Sequence, residues 1–393
     1  MLELVVITAA GVLAGAVTGS IPGLHPNTVI FSSLPVYLGS RISFLVYICF
    51  VSGLSVSHTF HDFLPAIYLN APSSESAVAS IPGAEMARNG EGKTAFNHTV
   101  TGGLITALMF LVAAPVIYFL LEPIYAAATS IMPAILLFFL SFIVLTNGGK
   151  SSFLVAGLSA ALGILAFRIP VNQNFILMPV FSGLFAIPAI IESMKSSYSI
   201  PDQESAESSH SLKGGLTGFV SGLIAGTVPG VGAGAATSFL SPLIDKEEEA
   251  LTGLGAVNTS DIFVSFIALY LLEKSRSGAS VAISILGGLD QFTMATALGS
   301  SLFAVGLSVP LAFRTQEVFL SFLDLVNLDR VLYLVLGVIF SLTVYFTGVL
   351  GLLVLFTSSC IGFLAWSFDC RTCCMSVLIV PALLFYLGVG IFI

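Results

Sequence analysis

Two apolar runs in this chain are broken by the same glycines and prolines at the same spacing. Residues 14–35 read AGAVTGSIPGLHPNTVIFSSLP, and residues 221–242 read SGLIAGTVPGVGAGAATSFLSP. Gly15, Gly19, Pro22, Gly23 and Pro35 match Gly222, Gly226, Pro229, Gly230 and Pro242, each pair 207 positions apart. Proline lacks an N–H and clashes with the preceding turn, and glycine frees the backbone, so the first helix should stop near Ser20. Apolar residues then resume at Val29-Ile30-Phe31. Helix, irregular turn and renewed apolar run predict a discontinuous membrane helix or a re-entrant hairpin. Its recurrence predicts an internal repeat with a binding site at the two breaks. Close helix packing alone explains Gly15-x3-Gly19, but not a gapless Pro-Gly match.

Composition fixes the solvent. Of 393 residues, 56% are hydrophobic and 9% charged, against roughly 25% charged in a soluble domain. The chain therefore reads as an all-α, multi-pass protein of the cell membrane, with no room for a large soluble domain. The net charge of −8 lies largely in short loops: Glu247-Glu248-Glu249, Asp202, Glu204 and Glu207. No basic patch accompanies it, which speaks against nucleic acid. Residues 2–17 lack a basic leader and belong to the repeat, so they read as a span rather than a signal peptide. Cys370, Cys373 and Cys374 form C-x2-C-C without a nearby histidine; a zinc site needs a fourth ligand, so a loop or membrane-edge cluster is the expectation.

The hydrophilic stretch around 195–213 divides the chain into a first membrane repeat (1–194) and a second (214–393), each with about six spans at about 20 residues a span. In the first half, spans are expected at 2–20, 42–57, 99–121, 133–146, 151–167 and 175–191, with broken elements at 21–38 and 58–83. Glu122-Pro123 should open a short amphipathic piece. In the second half, spans are expected at 212–228, 254–272, 295–313, 331–346, 347–366 and 375–393. The broken segment 229–244 follows the first of these, and residues 280–288 echo 76–84.

The chemistry follows from the breaks. A helix start or glycine turn presents unpaired N–H groups and the positive end of a dipole. Two such ends facing each other would hold a carboxylate with no buried cation, and almost no Lys or Arg falls near a span centre. The expected substrate-binding residues are Pro22, Gly23, Asn27 and Thr28 at the first break, and Pro229, Gly230, Gly232, Thr237 and Ser238 at the second. Helix capping is the competing role for Thr28 and Thr237. Intramembrane acids default to function. Asp62, with Asn70 and Glu75, and Asp261, with Asn258 and Thr259, stand about thirty residues beyond their breaks. They offer hard oxygen ligands for a coupling Na+, or a proton site; the alternative is a solvated membrane edge. His58, His61 and Asp62 form H-x-x-H-D, a spacing that admits a metal and hence a remote alternative, an intramembrane metal-dependent hydrolase. No H-E-x-x-H or G-x-S-x-G occurs. A transporter without resident metal or cofactor, rather than an enzyme, is expected.

GAVTGSIPGLHPN, the S-I-P-G-x-x-M-x-x-x-G run at 80–90, and GLIAGTVPGVG resemble the large membrane subunit of the tripartite tricarboxylate transporters, across both halves. The chain departs from that pattern in being shorter, in having His25 after Pro22-Gly23-Leu24, and in Leu286 replacing a second-half proline. The resemblance implies cation-coupled secondary transport of a carboxylate, with a small membrane subunit and an extracytoplasmic binding protein as partners. The expected function is alternating-access transport of a small organic anion, a di- or tricarboxylate, driven by Na+ or H+. A stand-alone permease or exporter of another anion is the alternative, and a homo-oligomer is open.

Overall fold

The computed structural model describes residues 2–21, 24, 26–71, 80–195, 201–204, 211–240, 246–325 and 328–389. All regular structure among them is helical. The first half holds α1 (Leu2–Gly19), α2 (Pro26–Leu38), α3 (Phe44–His61), α4 (Phe63–Tyr68), α5 (Ser80–Arg88), α6 (Gly92–Thr129), α7 (Met132–Thr146), α8 (Lys150–Ala166), α9 (Gln173–Phe181), a π-helical turn (Ser182–Ala186) and α10 (Ile187–Lys195). The second holds α11 (Leu212–Ala225), α12 (Ala233–Leu240), α13 (Glu247–Leu272), α14 (Gly278–Ile285), α15 (Gln291–Leu325), α16 (Leu328–Ser367), a 3-10 turn (Arg371–Met375) and α17 (Ser376–Tyr386). Among the described residues, seven helical stretches are long and apolar enough to cross a membrane, and five shorter apolar helices accompany them.

Glycine stripes set the packing. Gly11, Gly15 and Gly19 on α1 lie against the carbonyls of Phe50, Leu54 and His58 on α3. Gly214 and Gly218 on α11 lie against the carbonyls of Glu249 and Gly253 on α13, and Gly222 lies on Ser260. A Cβ at these points would collide with backbone or a neighbouring Cβ, so small residues are what bring the helix axes together. The α6–α13 pair is built the same way: Gly102 meets the Thr252 carbonyl, Gly255 meets that of Thr99, and Thr106 donates to Ala256 O at 3.1 Å.

The halves exchange helices. α3 packs on α15, and α13 on α6. Likewise α9, the π turn and α10 pack on α16, while α17 packs on α7 and α8. Phe60, Phe63, Phe96, Phe110, Phe263 and Phe266 fill the central core, contributed by α3, α4, α6 and α13. Leu111, Val112 and Phe119 on α6 point outward, where a bilayer would solvate them.

Several boundaries differ from the sequence expectation. In the segment expected to be broken, α3 passes Asp62, whose N–H bonds His58 O, into α4, so the helix stops only after Tyr68; Asn70 takes φ 50° and α5 starts at Ser80. This stretch is buried inside the protein, so its polar residues face other helices rather than lipid. The rest of that segment, 72–79 with Glu75, lies outside the described residues. No separate piece begins at Glu122; α6 continues through Pro115 and Pro123 for 38 residues. It is about 57 Å long at 1.5 Å per residue, beyond the roughly 30 Å hydrocarbon core, and a proline costs such a helix only a local bond. The two spans expected at 331–346 and 347–366 are, by contrast, present: α16 consists of two helices that meet at a kink at Gly348, with φ 63° and ψ −158°. Only glycine takes that conformation readily. The linker residues 201–204 are docked: Gln203 accepts from Gly92 N at 2.7 Å and donates to Ala87 O at 2.9 Å.

Candidate functional site

One cavity of about 320 Å³ lies where the two halves meet, within the size range of small-molecule sites. The chain reaches it by local rules. After α11 the segment 226–232 cannot stay helical because Pro229 lacks an N–H and Gly230 sits at φ +76°. Pro229, Gly230 and Gly232 line the wall, and α12 starts beside them at Ala233. Opposite, α2 begins with Pro26 and Asn27, both on the wall. A third helix start, α14, brings Ser277 and Gly278. There a reciprocal capping box joins Ser277 and Ser280, and Asn27 of α2 lies directly against Gly278. The starts of three helices thus line one cavity, and each puts the positive end of its dipole there.

Two long helices complete the wall. α3 supplies Ser55 and Thr59, and α13 supplies Asn258 and Asp261. Asn258 is 2% exposed, and neither of its amide atoms has a hydrogen-bond partner. Ser55 Oγ is in the same condition. Buried polar groups are almost always bonded, so two orphans on one wall point to a ligand. Thr59 donates to Val56 O at 2.8 Å. The loop after α13 reverses at Glu273, φ 53°, and returns Ser275 and Arg276 to the cavity.

The expected residues divide. Asn27, Pro229, Gly230, Gly232, Asn258 and Asp261 are brought together. Pro22, Gly23, His25 and the side chains of Thr28 and Ser238 lie outside the described residues. Thr237 is not on the wall; its hydroxyl donates to Ala233 O at 2.8 Å, the ordinary back-bond of a helical threonine. Asn70 is buried elsewhere, at φ 50°, and donates to Ser193 Oγ at 3.1 Å. Asp62, 3% exposed, sits at the α3–α4 junction away from the cavity. Nor is it the counterpart of Asp261. Gly15 faces Ser57 as Gly222 faces Ser260, and Gly19 faces His61 as Gly226 faces Val264. In that register His58 stands where Asp261 does. The H-x-x-H-D histidines are committed to the fold: His58 Nδ1 is 3.0 Å from Thr18 Oγ1, and His61 Nδ1 is 2.7 Å from Ser57 O. Sequence reasoning missed Ser55, Thr59 and Arg276. The serines flanking Arg276, S-R-S-G before an apolar run, were the signal available: a cation placed at a helix N-cap, where acids are favoured.

The chain matches the tripartite tricarboxylate transporter TctA family over residues 5–376. It belongs to that family. This is a transporter family of multi-pass membrane proteins, and the sequence resemblance is borne out at that level. An uncharacterised protein of Methanocaldococcus jannaschii is 27% identical over 96% of this chain and 97% of its own length. An uncharacterised 52.8 kDa protein of Agrobacterium vitis is 32% identical over 27% of this chain and 22% of its own. No solved structure matches the chain.

Proposed function

We propose that this TctA-family chain is the translocating component of a secondary transporter for a small organic anion, a di- or tricarboxylate. The observation that carries the reading is the convergence of the α2, α12 and α14 starts on one cavity. That arrangement attracts an anion without burying a lysine. The halves are two repeats: α1–α3 and α11–α13 share their glycine stripes, and the helix exchanges between halves are reciprocal. Alternating access then follows from one repeat moving against the other around the cavity. Sodium or protons drive it, with Asn258 and Asp261 on the cation. Ser55 and Thr59 from the facing helix complete a set of oxygen ligands suited to a hard cation. A small membrane subunit and an extracytoplasmic binding protein are the partners that the family implies.

Reconstitution into liposomes tests this. Labelled citrate or succinate should accumulate under an imposed sodium or pH gradient and exchange against internal unlabelled substrate. Downhill leakage without counterflow would instead mark a channel-like permease.

A further inference from the structure

Arg276 is the one cation on the cavity wall among the described residues. None of the described ion pairs involves it. Its Nη2 donates to Tyr125 Oη at 2.9 Å, and the guanidinium carbon stands 5.8 Å from the Tyr125 ring centroid. Tyr125 Oη in turn lies 3.2 Å from Tyr386 Oη. The Nε is buried and makes no hydrogen bond. Meanwhile the backbone is pinned: Arg276 N donates to Ser280 Oγ at 2.9 Å, inside the α14 cap. The side chain is therefore oriented by two tyrosines and a fixed backbone, yet its charge meets no carboxylate. An arginine's Nε and Nη2 edge matches the two oxygens of a carboxylate.

We propose that Arg276 is the specificity-determining residue of the site: it grips a second carboxylate while the helix starts hold the first. This rests on the anion-transport reading above. A single carboxylate satisfies only the helix-start end. A substrate with two satisfies both, so Arg276 sets a preference for polycarboxylates over monocarboxylates. Tyr125 and Tyr386 are positioning residues; they neutralise no charge and hold the guanidinium in place.

The test is binding of citrate, succinate and butyrate to purified full-length protein. The wild type should favour succinate and citrate over butyrate. Arg276→Gln should weaken succinate and citrate about tenfold or more, since hydrogen bonds to charged groups are the strong ones, and leave butyrate nearly unchanged. Arg276→Lys keeps the charge without the fork and should also lose preference, which covers the case where the glutamine variant does not fold. Tyr125→Phe should lower the succinate-to-butyrate ratio by a smaller factor. A ratio unmoved in a folded Arg276→Lys or Arg276→Gln variant overturns the proposal and leaves the anion reading standing. So does a variant that alters only retained anionic lipid, since the arginine would then be a headgroup contact. Wild-type protein that binds none of the three probes overturns the anion reading itself.

Discussion

At the residue scale the two break glycines do different work. Gly230 needs its positive φ, and a Cβ there would stand 2.8 Å from Leu378 O and from Ala382 Cβ on α17. Gly232 has no atom within 4 Å of an added Cβ, so a methyl there would enter the cavity. Gly230→Ala should therefore destabilise the protein by about 1–3 kcal/mol through strain and overpacking. Gly232→Ala should leave the melting temperature alone and weaken citrate binding several-fold. Thermal unfolding and binding measured on both variants separate the two; equal loss of stability would return Gly232 to a packing role. The wall polar groups make a second case. Asn258→Ala removes a buried amide with no internal bond to lose, so stability should hold. The half-saturating concentration of the driving cation should rise about tenfold, or ~1.4 kcal/mol. Asp261→Asn should abolish gradient-driven accumulation while the protein still inserts. Unchanged sodium and pH dependence in both would remove them from coupling.

At the scale of elements, α15 shows how a single cap sets a local pH response. Asp290 Oδ1 accepts from Thr293 N at 2.7 Å and from Thr293 Oγ1 at 2.6 Å, and Asp290 N donates back to Thr293 Oγ1 at 2.8 Å. The Thr293 side-chain bond, then its backbone bond, hold the Asp290 carboxyl below its ordinary value. A depressed carboxyl favours the fold above its unfolded pKa, and that contribution disappears as pH falls through the lowered folded value. Amides in the first turn of α15 should lose protection, measured against the intrinsic exchange rate at each pH, as the medium is acidified through that range. Asp290→Ala should show the reduced protection at all pH values. The elements also show what the chain announces about itself. Pro-Gly breaks are legible because proline and glycine act on their own backbone. The course of the helix at Pro123 is not, because an apolar surround keeps a helix going past a lost bond. Asn258 and Asp261 were readable as intramembrane polar groups. Their partner set was not, because distance from a break counts residues, whereas the glycine stripes fix which residues face each other. The stripes put His58, not Asp62, in Asp261's place. Arg276 was hidden for a similar reason: only the reversal at Glu273 returns a hydrophilic loop to the cavity.

For the whole molecule, the exchange of terminal helices decides how the halves hold together. α17 ends the second half but packs on α7 and α8 of the first, where Gly163 lies against the Val377 carbonyl and Ser376 donates to Ala156 O at 2.7 Å. Conversely, α9, the π turn and α10 pack on α16, with Gly183 against Ser358 and Gly362 against the Leu184 carbonyl. The centre adds the backbone-to-backbone contact of α6 with α13. These contacts bury apolar surface from both halves in shared clusters, so neither half completes its core alone. A protease site inserted between Glu204 and Ser211 should thus be cut in membranes without releasing either piece. The two fragments should copurify after cutting and keep citrate binding. Expressed separately, 1–194 and 195–393 should be degraded or aggregate, and coexpression should rescue both. Independent folding of either half, or dissociation on cutting, would show that each half is self-contained. The tight α6–α13 seam would then have to open during transport. If the seam instead stays shut, hydrogen exchange on adding citrate should change at residues 26–38, 229–240 and 273–285 and remain fixed at 99–106 and 252–256, because the short helices and turns of the cavity wall, unlike the long α3 and α13, are the part free to move.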